Sequence, residues 1–190
     1  MNRTRLTNLI LCALFAAIIS VFSVMTIPIG VVPVSMSVFA IMLTGMLLDW
    51  RRAAIAASVY VLIGLAGIPV FSGFRGGLSV LAGPTGGFIL SYIPMIALIS
   101  LISSIETNKA IIRIILYFTG AIIGLVLCYL LGTIHFSLVT STSFSAALAA
   151  CVYPFVIFDL AKAIAAVFVA VSVKRALPSY FIKTQQSPDK

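Results

Sequence analysis

The chain has 190 residues, of which 62% are hydrophobic and 8% charged, with a mean hydropathy of +1.25. A water-soluble fold of that composition would lack the polar surface to cover its core, so a soluble globular domain is excluded and one compact domain in lipid is expected. The formal charge of +8 does not indicate a nucleic-acid binder, because the basic residues are scattered over short hydrophilic segments and form no stripe with aromatics.

No Asp, Glu, Lys or Arg occurs between Arg5 and Asp49, nor between Arg113 and Asp159. A helix needs about 20 apolar residues to cross the hydrocarbon, so each of these runs holds two spans. Breakers and charges divide the whole chain into six, over residues 6–27, 35–48, 53–68, 85–105, 113–134 and 149–173. The opening, with Arg3 and Arg5 before an apolar run, has the look of a secretion signal, yet the run passes Val24 without a polar cleavage region. A retained first helix is therefore predicted. The second and third spans are short for the membrane, which is tolerated where backbone folds into the protein interior instead of facing lipid. Residues 1–177 form one six-span membrane domain, followed by a short polar tail over residues 178–190.

Basic residues then fix the orientation. Arg3, Arg5, Arg51, Arg52, Lys109, Arg113, Lys174, Arg175, Lys183 and Lys190 fall on one side, Arg75 alone falls on the other, and Lys162 lies within a span. Both termini are expected in the cytoplasm, with residues 28–34, 69–84 and 135–148 outside. The second outer segment, "GLAGIPVFSGFRGGLSVLAGPTGG", is rich in Gly and Pro yet carries Ile68, Val70, Phe71, Phe74, Leu78 and Leu81. A free loop would be polar, so this segment is expected to pack on the helices as a lid or re-entrant element, its glycines allowing tight turns and close approach to a ligand.

Charge inside the membrane is costly and is usually kept for a ligand, an ion or a proton path. Asp159 and Lys162, at i and i+3, share a helix face with Phe155 one turn earlier. They form either a structural ion pair pinning the helix or a binding unit, the carboxylate accepting N–H bonds from a ligand and the ammonium donating to a carbonyl or carboxylate. Arg75, beside Phe71 and Phe74, can meet an anion. Thr85 in "GPTGG" can cap the fourth span and turn the positive end of that helix toward the same cavity. His135 lacks a second ligand of metal-site type and is read as packing. Cys12, Cys128 and Cys151 show no metal or redox spacing and are read as buried thiols. Gly120 and Gly124, like Ala13 and Ala17, are small-residue pairs that allow close helix approach, the first within the bundle and the second toward a partner subunit.

No nucleotide-binding loop, zinc-protease motif or serine-hydrolase elbow occurs in the sequence. Neither ATP hydrolysis nor catalysis is indicated, and neither a metal nor a cofactor is expected. A reading of a different class, an intramembrane enzyme using Asp159 or His135 for acid–base chemistry, lacks a second catalytic group. A ligand-free structural bundle is the third reading.

Taken together, "VPVSMSVFAIMLTGMLLDWRRAAIAASVYVLIGLAGIPVFSGFRGGLSVLAGPTGGF", "YLLGTIHF" and "YPFVIFDLAK" resemble the BioY family, the biotin-binding S components of energy-coupling factor (ECF) transporters. The resemblance spans most of the chain. It departs from the family at Ser37, where many members carry Gln, at His135, where they carry a large aromatic, and at Phe88, commonly Tyr. It implies an all-α, S-component-like bundle of six transmembrane helices in the bacterial cytoplasmic membrane. It further implies biotin as the transported ligand, a transmembrane coupling subunit and two ATP-binding cassette ATPases as partners, and contact with the coupling subunit through Ala13 and Ala17. An S component for a different vitamin is the alternative within this class. The "FDLAK" match gives Asp159 and Lys162 a ligand-binding role, and the Pro-Val-Ser segment adds Ser35. Asp159 and Lys162 can take the polar edge of the ureido ring and Arg75 or Thr85 the carboxylate, or Lys162 the carboxylate instead. Tyr60, Phe71 and Phe155 can cover the thiophane and its chain.

Overall fold

A computed structural model describes residues 3–27, 34–107 and 109–176. The polar tail with Lys183 and Lys190, and residues 28–33 of the first outer segment, lie outside the described residues. In chain order the elements are α1 (Arg3–Val24), β1 (Thr26–Ile27), β2 (Val34–Ser35), α2 (Ser37–Leu47), α3 (Trp50–Leu65), α4 (Leu78–Ala82), α5 (Gly86–Ser103), α6 (Ala110–Thr140), α7 (Phe144–Cys151) and α8 (Val156–Ala176). The helices α1, α5, α6 and α8 are long and apolar enough to cross a membrane. By contrast, the 11 residues of α2 and the 16 of α3 rise only about 16 and 24 Å at 1.5 Å per residue.

Helix α5 packs against α6, α3 and α2, while α1 lies on α3 and α8 on α2. Glycines set how closely these helices approach. A Cβ on Gly45 would stand 2.9 Å from Ile99 Cγ2, and one on Gly124 would stand 2.6 Å from Ile99 Cγ1. Ile99 is therefore clamped between α2 and α6 at a spacing that only hydrogen side chains permit. Gly120 and Gly124 are both buried in that contact, as the sequence suggested.

The turn between α2 and α3 is secured from three sides. Asp49 caps α3 by accepting from the Arg52 N–H at 3.2 Å, and its other oxygen pairs with Arg52 Nε at 2.9 Å. From α5, Ser100 Oγ donates to the Leu48 carbonyl at 2.6 Å, satisfying a group that the end of α2 leaves open. On α1, Cys12 Sγ approaches the Arg52 carbonyl at 3.7 Å. Elsewhere, the Lys174 ammonium lies over the Tyr117 ring, 4.9 Å from its centroid, so the end of α8 meets the first turns of α6.

Two expectations about boundaries fail for identifiable reasons. The fifth span does not stop at Ile134. The stretch after it contains no Gly or Pro, and α6 continues to Thr140, where Ser141 takes a left-handed cap at φ 53°. The outer segment 135–148 is consequently the last turns of α6 and the start of α7, with Ser143 capping α7 by accepting from the Ala146 N–H. Nor is the sixth span continuous. Residues 152–155 form a turn around Pro154, which cannot extend a helix, and α8 starts only at Val156.

The glycine-rich segment is anchored at few points. Phe71 is fully buried and bridges Arg75 by reciprocal backbone bonds, Phe71 N to Arg75 O at 2.9 Å and Arg75 N to Phe71 O at 3.3 Å. Gly67, Gly73 and Gly77 adopt positive φ, which bends the segment sharply enough to fold back. Val80 and Leu81 are buried, whereas Ile68, Phe74 and Leu78 stay exposed. The expectation that all its apolar side chains pack on the helices thus holds for only part of them.

Candidate functional site

Above α5 and between α8, α6, β2 and the glycine-rich segment lies a cleft of about 630 Å³, its open mouth included. Of the residues singled out from the sequence, Asp159, Lys162, Arg75, Thr85, Phe71, Phe155 and Ser35 all line it. Side chains up to 127 positions apart in the chain are brought together there.

The polar floor follows from the break before α8. Because the helix restarts at Val156, Asp159 falls in its first turn, where the unpaired N–H groups and the positive dipole end favour a carboxylate. Its backbone N–H bonds the Phe155 carbonyl at 2.9 Å, which keeps Phe155 one turn away on the cleft side. Lys162 Nζ donates to Asp159 Oδ1 at 2.8 Å and to the Ser35 carbonyl at 2.7 Å. Tyr129 from α6 donates its hydroxyl to Asp159 Oδ2 at 2.6 Å. Asp159 and Lys162 are both buried. An ammonium has three donors and a carboxylate about four acceptor positions. In this arrangement one N–H of Lys162, about two lone-pair positions of Asp159 and the oxygen of Tyr129 have no partner assigned by these bonds. The floor can therefore both donate to and accept from a polar ligand.

At the rim, Arg75 is exposed, its Nε donating to the Ser72 carbonyl at 3.2 Å, so the guanidinium stands as a cation at the mouth. Thr85 stands at the start of α5 but does not cap it as expected. Its backbone is helical, at φ −89° and ψ −8°, and its side chain makes no cap bond. A capping side chain needs an extended backbone at that position, and here the tight turn through Gly83 and Gly86 prevents it, the Gly86 N–H bonding the Gly83 carbonyl.

Tyr60 is the other correction. It is expected from the sequence to cover a ligand but does not line the cleft. It is fully buried behind Phe71, edge-on with ring centroids 5.6 Å apart, and its hydroxyl bonds Ser23 Oγ at 2.6 Å. Sequence alone could not say which aromatic faced the cleft and which backed it, since both belong to one apolar cluster.

Tyr129, Tyr92 and Phe88 line the cleft without having been picked out as contacts. Tyr129 opens the quoted "YLLGTIHF" stretch, but an uncharged residue in an apolar helix carries no cost that would mark it. Ser37, one of the departures from the family pattern, bonds the Tyr92 hydroxyl at 2.7 Å, and Phe88 packs across Gly132, where a Cβ would come within 2.2 Å of its ring. His135 Nε2 lies 3.1 Å from the Gly83 carbonyl and ties α6 to the turn before α5, a packing role. Cys12, Cys128 and Cys151 are buried, and the latter two also line the cleft. Among the described residues, no group of three or more His, Cys, Asp or Glu side chains could hold a metal ion.

Comparison with known proteins places this geometry in context. The family model described as "BioY family" matches residues 1–179. The "Biotin transporter BioY2" of Lactococcus lactis is 39% identical over 177 residues, covering 93% of this chain and 95% of that one. The "Biotin transporter BioY" of Thermotoga maritima is 33% identical over 168 residues, covering 88% and 96%. Among solved structures, the S-component for biotin from an ECF-type ABC transporter superposes with a TM-score of 0.81 at 23% identity, over 92% of this chain and 94% of that one. The fold is that of an S component.

Proposed function

Because this chain belongs to the BioY family, we propose that it captures biotin at the cell membrane as the S component of an ECF-type uptake transporter. It is a multi-pass membrane protein. The observation that carries the ligand reading is the floor of the cleft, where a buried Asp159–Lys162 pair is completed by Tyr129 and the Ser35 carbonyl. The ureido ring of biotin offers two N–H donors and one carbonyl acceptor, the complement of two carboxylate lone pairs and one ammonium N–H. Phe71, Phe155 and Phe88 supply apolar walls for the thiophane and valeryl chain. Arg75 at the mouth, or the N-terminal end of α5 behind Thr85, suits the carboxylate.

The subunit binds and does not catalyse, and it needs no cofactor. Energy comes from partners, a transmembrane coupling subunit and two ATPases. Ala13 and Ala17 support this part of the reading, since both are exposed on the outer face of α1, where a partner helix can approach closely.

Titration of the purified subunit with biotin, riboflavin, thiamine and pantothenate tests the ligand. Biotin is expected to bind in the nanomolar range, about −12 kcal/mol, and to raise the melting temperature by mass action. Binding of biotin no tighter than micromolar, with tight binding of another of the four, would reject it.

The bundle is oriented with six passes and both termini in the cytoplasm, which the distribution of basic residues among the segments between spans supports. With the native cysteines removed, a Cys at position 75 or 140 should react with an impermeant thiol reagent from outside, and a Cys at 51 or 109 should not. The reverse pattern would invert the topology.

A further inference from the structure

A hydrogen-bond chain leads out of the cleft floor to buried side chains that do not line the cleft. Lys162 Nζ donates to the Ser35 carbonyl at 2.7 Å. Ser35 Oγ in turn donates to the Ser23 carbonyl at 3.0 Å and accepts from the Ser37 N–H at 3.0 Å. Ser23 Oγ bonds the Tyr60 hydroxyl at 2.6 Å, and the Tyr60 ring stands edge-on to Phe71. One line thus joins α8, β2, α1, α3 and the glycine-rich segment. Ser23 and Tyr60 are buried, at 1% and 0% exposure, and neither lines the cleft.

Ser23 lies in the last turn of α1, where carbonyls have no partner within the helix. Its carbonyl is one of these, and Ser35 satisfies it. The Ser23–Tyr60 bond fixes that turn to α3, and through Ser35 the fixed turn holds the carbonyl on which Lys162 rests. An ammonium rotates freely about its last bond, so the direction of its remaining N–H is set by its two anchored partners. Asp159 supplies one from its own helix. The other is supplied by this chain of bonds.

We propose that Ser23 and Tyr60 are positioning residues for Lys162, aiming its remaining N–H into the cleft by holding the Ser35 carbonyl against the end of α1. The proposal rests on the reading of the cleft as the biotin site. It assigns a role in affinity to two side chains that touch no ligand, and it replaces the direct contact expected of Tyr60.

A double-mutant cycle tests it. Ser23→Ala and Tyr60→Phe are each made in the wild-type chain and in the Asp159→Asn, Lys162→Met background, and biotin affinity is measured by titration in detergent. In the wild-type chain each change should weaken binding roughly fivefold, the scale of one neutral hydrogen bond. In the background without the ammonium the same changes should alter affinity by less than about twofold, because nothing is left to position. Equal losses in both backgrounds would show a general packing role and overturn the proposal, as would no loss in the wild-type chain. Tyr60→Phe keeps the ring against Phe71 and decides the matter if Ser23→Ala folds poorly. A wild-type chain that does not bind biotin would instead reject the ligand reading, and this proposal with it.

Discussion

Replacing Asp159 by Asn and Lys162 by Met in one molecule should cost at least ~2 kcal/mol of biotin affinity, roughly thirtyfold in Kd, while leaving a folded protein. Each single change is a poorer test. Removing one member of a buried pair strands the other charge in a low-dielectric interior, so loss of binding and loss of stability would arrive together. The double change removes both charges and keeps similar volume. The asparagine that replaces Asp159 can still accept from Tyr129, and the principal loss within the fold is the bond from Lys162 to the Ser35 carbonyl. The measurement is a biotin titration alongside a thermal melt of the unliganded protein. Wild-type affinity in a folded double variant would reduce the pair to a structural pin and move the ligand's polar contacts to Arg75 and the start of α5.

Gly64→Ala is expected to disrupt the site from behind. Alanine is the better helix former by about 1 kcal/mol, and on propensity alone the substitution should stabilise α3. In the folded chain, however, a Cβ at position 64 would come within 2.1 Å of Phe71 Cζ and 2.3 Å of its Cε1. Phe71 cannot retreat easily, because its ring is fully buried and already packs edge-on to Tyr60, one turn before Gly64 on the same helix. Overpacking of this kind costs about 1–3 kcal/mol, which outweighs the propensity gain. The ring should be unseated, and with it the segment that carries Arg75 over the mouth. A lowered melting temperature and weakened biotin binding are expected, and Gly64→Ala with Phe71→Leu should recover part of both by vacating the contested space. A Gly64→Ala protein with unchanged melting temperature and Kd would show that Phe71 does not anchor the segment.

Charge accounts for most of what could be read from the chain before its fold was known. Long uncharged runs have one stable environment, which made the membrane location legible. The cost of charge in that environment singled out Asp159 and Lys162, and the Gly and Pro residues after α3 marked a segment unlike a free loop. The small pair Gly120 and Gly124 was also readable, because close helix approach leaves a compositional trace. Tyr129 left none. It is one tyrosine in an apolar helix, 30 positions from Asp159, and its hydroxyl acquires meaning only from what lies opposite it.

Sequence by itself determined the solvent in which this protein folds, its mostly helical class and the two charges that must be satisfied inside it, since each follows from transfer free energies of individual residues. Tertiary structure alone decided how those charges are satisfied. It brought the Ser35 carbonyl to Lys162 across 127 positions and put Phe71 rather than Tyr60 on the cleft wall. Such partnerships depend on the relative placement of distant elements. That placement is set by packing, here by glycines at 45, 64, 124 and 132 whose missing side chains fix how near each neighbour can come.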